Sequence, residues 1–229
     1  MRMAVLFAAS VLVAGCSQQP TGRPGPTQLT PITPSHNATA TSTAKPGATS
    51  SSTPVGPPGP GATAAEAIGW VEAAPPVDGQ DFGVALRNGT STPLDGDVAF
   101  TTPSGISCMT DTRHGSPALA CLVDLVAPPA QPPDVYGVWK GGWVDFDGAS
   151  VQVGSAHGDP GRFSAGQGAP LPLGGSLAFG DFRCRADTTV LVCANYTRKT
   201  AVRYSDDGVD ALGCTRQTPP AGIGIQFSC

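Results

Sequence analysis

The sequence predicts an all-β domain, a small antiparallel sandwich or partly open barrel stapled by disulfides, with one short N-terminal helix. Three observations lead there. Apolar residues beyond residue 100 alternate with period two, the pattern of half-buried strands. Turn residues punctuate that pattern about every ten residues. Six cysteines fall between Cys108 and Cys229, and 30 glycines, 24 prolines and only 13% charged residues are far from a helical composition.

The chain opens with Met1-Arg2-Met3, an apolar run from Ala4 to Ala14 broken by Ser10, and then Gly15-Cys16. A charged start, a short apolar run and small residues at the end describe a secretory signal. The cysteine that follows resembles the lipobox of bacterial lipoproteins. That resemblance implies a diacylglyceryl thioether on Cys16 and removal of residues 1–15. The apolar run is about half the roughly twenty residues that a membrane-spanning helix needs. Two acyl chains, at about 0.8 kcal/mol per buried CH₂, suffice for stable anchoring. The expected location is therefore the outer, extracytoplasmic face of the cell membrane.

Residues 16–62 read as a linker of Pro, Thr, Ser, Gly and Ala with only Arg23 and Lys45 charged. It has too little apolar side chain to offset the entropy of ordering, and its prolines make it a semi-stiff spacer. Thr and Ser with Pro also suit O-glycosylation. The folded domain is expected over residues 63–229. All 17 acidic residues and 10 of the 13 basic ones lie from Glu66 onward, a balance of −7. An acidic domain without basic clusters argues against nucleic acid and anionic lipid as partners.

Thr63-Ala64-Ala65-Glu66 has capping-box spacing, so a short helix with Ile68 and Val71 on one side should follow and stop before Pro75-Pro76. Ile106 and Cys108 then share a strand face, as do Leu119, Cys121, Val123 and Leu125. Trp143 to Val153 reads as a hairpin turning at Asp147-Gly148, with Val144 opposite Val151 and Phe146 opposite Ala149. Trp143 and Asp145 would take the other face. Leu177-Phe179 and Phe182-Cys184 differ in parity, which a bulge at Gly180-Asp181 would reconcile, leaving Arg183 and Arg185 outward. Val190 to Tyr196 is apolar on both faces, as a central strand should be. Cys16 aside, the six domain cysteines allow fifteen pairings. Sequential pairing is expected because each near pair, Cys108–Cys121, Cys184–Cys193 and Cys214–Cys229, brackets a hairpin or ties a strand.

Pro103-Ser104-Gly105-Ile106-Ser107-Cys108, Gly180-Asp181-Phe182-Arg183-Cys184 and Cys193-Ala194-Asn195 together resemble a disulfide-stapled domain of actinobacterial exported proteins with a PSGNIxC start. With the lipobox and Gly141-Gly142-Trp143, the chain is similar to mycobacterial lipoproteins of the LppI kind. The resemblance implies an extracytoplasmic lipoprotein and no activity. The family's middle cysteine pair and the Asn after Ser-Gly are missing here, so its connectivity carries over only to the first and last shared hairpins.

Chemistry is sparse. His36 falls in the linker and His114 between Cys108 and Cys121. His157, two residues before Asp159, could serve as a base, yet Gly158-Asp159-Pro160-Gly161 is ordinary turn chemistry. Asp145-Phe146-Asp147-Gly148 lacks the acid at Trp143 and the later glutamate of a calcium loop. Tyr136, Trp139 and Trp143, among Gly137, Gly141 and Gly142, could stack on a sugar or anchor a protein. The reading is a non-enzymatic, lipid-anchored binding or envelope-interaction module without cofactor or metal. Its partners would be the membrane through Cys16 and a cell-envelope protein or glycan. Tyr136, Trp139, Trp143, His157 and Asp159 are its candidate contacts. The alternatives are a hydrolase of wall polymers, using His157 with Asp159 or Asp145 with Asp147, and a lipid carrier with an apolar cavity.

Overall fold

The structure is a computed structural model describing residues 56–112, 118–156 and 161–229. These lie in one compact unit, Ser51–Cys229. Cys16, most of the linker, His36, His114, His157 and Asp159 lie outside the described residues.

One helix, α1 (Ala64–Glu72), precedes fifteen strands. They are β1 (Val84–Arg87), β2 (Thr90–Pro93), β3 (Ala99–Thr101), β4 (Ser107–Thr110), β5 (Leu119–Leu122), β6 (Trp139–Phe146), β7 (Ser150–Ala156) and β8 (Ala169–Pro170). Then come β9 (Ser176–Phe179), β10 (Phe182–Ala186), β11 (Leu191–Asn195), β12 (Thr200–Ser205), β13 (Gly208–Leu212), β14 (Thr215–Gln217) and β15 (Ile223–Ser228). β1 and β2 form a separate hairpin, and the other strands make an eight-stranded sheet, β14-β15-β7-β6-β5-β4-β3-β8, and a five-stranded sheet, β13-β12-β11-β10-β9. Every pairing is antiparallel except β3 with the two-residue β8. None of the described helices is long and apolar enough to cross a membrane.

The two large sheets pack face to face. One buried cluster takes Phe100, Leu119, Val144, Phe146 and Val151 from the larger sheet and Leu177, Phe182, Leu191, Val202 and Tyr204 from the smaller. The expected sandwich is therefore present, and no closed barrel forms among the described residues. A second cluster explains the apolar β11. On the outer face of the small sheet Val192, Ala194, Ala201 and Leu212 meet Ala67, Trp70 and Val71 of α1. β11 is thus buried on both sides, as its composition predicted.

The capping box forms. The Glu66 amide donates to Thr63 Oγ1, and the Thr63 amide donates to the Glu66 carboxylate (3.2 and 2.8 Å). Accepting from the Thr63 amide and from the Thr63 hydroxyl holds the Glu66 carboxyl below its usual range. Ala67, Trp70 and Val71 are the residues α1 buries. Ile68, expected beside Val71, is only half-buried.

All three disulfides pair in sequence: Cys108–Cys121, Cys184–Cys193 and Cys214–Cys229. The first two join residues directly opposite on neighbouring strands. The Pro103-Ser104-Gly105 segment is the tight turn that sets up the first of them. The Thr102 hydroxyl accepts from the Ile106 amide (3.1 Å), and the two backbones pair at 2.9 Å.

Two register expectations need correction. The β6–β7 hairpin pairs Val144 with Val153 and Phe146 with Val151, two residues beyond the expected register. The loop has four residues because the Asp147 carboxylate accepts from the Ala149 and Ser150 amides (2.8 and 2.6 Å), an Asx turn. A two-residue slip preserves parity, so Val144, Phe146, Val151 and Val153 still share the buried face. At Gly180-Asp181 there is no bulge. Phe179 pairs with Phe182, and the two residues are a hairpin turn between β9 and β10. Gly180 at φ +49° supplies the positive φ that such a turn requires at its first position.

Candidate functional site

The proposed aromatic patch divides three ways. Tyr136 is 90% exposed. Trp139 is half-buried and holds a strap. Its Nε1–H donates to the Pro129 carbonyl (2.9 Å), and Pro129 sits where Cβ atoms on Gly154 and Gly224 would be, 2.7 and 2.8 Å away. Trp143 is only 1% exposed, which corrects its expected role as a surface anchor. It does point away from Val144, as parity demands, but that face is covered. Phe163, in the 3-10 turn Gly161–Ala165, meets the indole edge-on at 5.3 Å, and the Trp143 Nε1–H donates to Asp145 (2.8 Å). Sequence alternation finds the two faces of a strand. It does not find a later segment folded over one of them.

Arg183 and Arg185 leave the core as expected, but α1 and the residues after it cover them. Arg183 donates to the Ala74 carbonyl and Ser176 Oγ (3.1 and 2.7 Å). Arg185 donates to the Trp70 carbonyl (2.6 Å), its guanidinium 3.8 Å from the centre of that indole ring. Asp145 and Asp147, the carboxylate pair of the hydrolase alternative, line one shallow depression with Arg162. Both have structural work there. Asp145 faces Arg162 (3.6 Å) and receives the Trp143 indole, and Asp147 holds its turn.

A site that composition and periodicity did not reveal lies at one end of the sandwich, in the gap between the sheets. It is a cavity of about 300 Å³, lined by Val98, Asp147, Phe179, Asp181, Phe182 and Asn195 among others. The floor is mainly apolar. The Phe179 and Phe182 rings stack at 5.8 Å and 20°, and Phe146 meets Phe182 edge-on from below at 5.4 Å. Among the described lining residues no lysine or arginine faces it.

Asn195 is its most constrained polar group. The residue is 3% exposed. Its Oδ1 accepts from the Arg198 amide (2.9 Å), which fixes the side chain's orientation and shapes the β11–β12 turn. Its Nδ2 takes no acceptor among the described residues. The side chain lies against Gly148, where a Cβ would come within 2.5 Å of Nδ2. Asp181 is exposed at the rim.

Compared with protein-family models, with curated proteins and with solved structures, the chain matches none. The site therefore rests on its own geometry. Four residues of the sequence motifs, Gly180, Asp181, Phe182 and Asn195, line this cavity. The turn and strand-end positions of those motifs were the available sequence signal. What pattern could not supply was that β9–β10, β11 and the β6–β7 loop end at the same place.

Proposed function

We propose that this chain is a lipid-anchored extracytoplasmic lipoprotein of the actinobacterial kind, whose disulfide-stapled domain is a non-enzymatic binding module. The observation that carries the reading is cysteine arithmetic. Three disulfides consume all six domain cysteines, and the seventh is Cys16, placed after small residues at the end of a short apolar run. Structural disulfides belong to oxidising compartments, and an odd cysteine in a secreted chain calls for a separate explanation. Lipidation supplies it.

The binding reading draws support from the cavity between the sheets. It is concave and mainly apolar, with a few convergent polar groups, the usual make-up of a ligand site. The described carboxylates of the hydrolase alternative are engaged in holding Trp143, Arg162 and a turn. Cys16→Ala should move the protein from the membrane fraction to the soluble extracytoplasmic fraction. A variant that stays with membranes after a high-salt wash overturns the anchor.

A further inference from the structure

The cavity's chemistry restricts what it can hold. Asp147 and Asp181 give it a negative rim, and no described lining residue is basic, so phosphates and carboxylates are repelled. At about 300 Å³ it stands at the low end of small-molecule sites. The Asp181 carboxylate can only accept hydrogen bonds, and the Asn195 Nδ2 can only donate them. An ammonium group would satisfy Asp181 and leave Nδ2 facing another donor. A hydroxyl both donates and accepts, so neighbouring hydroxyls on one ring satisfy both groups together. Phe179, stacked on Phe182, adds an aromatic surface of the kind on which the C–H face of a sugar packs.

We infer that the cleft between the sheets is a saccharide subsite, taking one neutral sugar ring with its apolar face on Phe179 and its hydroxyls on Asp181 and Asn195. Asn195 is the key recognition group. Its donor belongs to a residue that is 3% exposed and already fixed by the Arg198 amide, so little entropy is lost when a ligand engages it. The inference rests on the binding-module reading and names its ligand class.

The test uses the full chain in detergent micelles, oxidised, with backbone amide NMR. Methyl glycosides of glucose, galactose, mannose and arabinose are titrated, with glucose 6-phosphate and choline alongside. At least one neutral glycoside should shift the Gly180, Asp181 and Asn195 amides, and glucose 6-phosphate should bind more weakly than methyl glucoside. Asn195→Asp keeps the Oδ1 acceptor for the turn and removes the donor, and it should weaken binding about ten-fold or more, roughly 1.4 kcal/mol. Should that variant fail to fold, Asp181→Ala at the exposed rim should give a similar loss with an unchanged thermal melt. Thr188→Ala, outside the described lining, should bind as the parent does. The inference is overturned if no glycoside shifts these amides, if choline does so in preference to every glycoside, or if Asp181→Ala binds like the parent. Each of those outcomes leaves membrane attachment through Cys16 untouched. Release of Cys16→Ala is a separate measurement that can fail while the cleft still binds sugar.

Discussion

Tyr204 is fully buried in the core between the sheets, and its hydroxyl has no hydrogen-bond partner among the described residues. Burial pushes its phenol well above the ordinary tyrosine range, with the charge of Asp145 adding to the effect. A raised folded-state pKa contributes stability that is fully present below the unfolded value, about 10, and is lost as pH rises beyond it. The unfolded chain can release that proton while the folded one resists. Tyr204→Phe removes the orphan hydroxyl, whose burial costs about 1–3 kcal/mol. The variant should therefore be at least as stable as the parent at pH 7, by about 1 kcal/mol. Its thermal midpoint should fall less between pH 9 and 11. Some alkaline sensitivity remains through Tyr196, whose pKa burial and nearby Glu72 also raise. A variant clearly less stable at pH 7 would show that the hydroxyl has a partner. The aromatic residues mark how far the sequence could be read at this scale. The direction of Trp143 was legible from alternation, but its burial under Phe163 was not, because that cover comes from about twenty residues downstream.

At the scale of elements the hairpins were the most legible feature. Each disulfide closes a strand pair or strand end that alternation and turn residues had marked, and the cross-strand register puts Cys108 against Cys121 and Cys184 against Cys193. The capping box and the doubly buried β11 were equally readable, since each depends on residues close in sequence. The errors came where side chains altered a turn. Asp147 lengthened one loop by two residues, and Gly180-Asp181 made a full reversal where a bulge was expected. Replacing Cys184 and Cys193 together by alanine should lower stability by about 2–4 kcal/mol. The β10–β11 register, set by a buried face, should survive. Denaturant melts would measure the loss, and unchanged near-ultraviolet circular dichroism in the absence of denaturant would show the retained packing. Collapse of the native signal in the variant would mean that the disulfide specifies the fold as well as stabilising it.

For the molecule as a whole, the sandwich followed from composition and period, while the cavity did not. It is assembled from the segment before β3, the end of β4, the β6–β7 loop, the β9–β10 turn and the end of β11, segments brought together only by the packing of one sheet on the other. The boundary of the domain is testable directly. Protease treatment of the full chain should cut between about residues 22 and 62 and leave a resistant fragment that begins near Thr63, the N-cap of α1, because the linker composition offers no core to protect it. Cuts within β4–β12 at a comparable rate would contradict the two-layer core.

The three disulfides also bear on how the chain is made. Their cysteines lie 13, 9 and 15 residues apart, and no bridge encloses another. A chain appearing N-terminus first completes each pair within a few turns of extended strand, before the next pair begins to emerge. Among the six domain cysteines, the second of each pair meets only one unpaired partner as it appears. Order of synthesis therefore selects one of the fifteen pairings without trial and error, and folding of this domain needs an oxidant much more than it needs an isomerase.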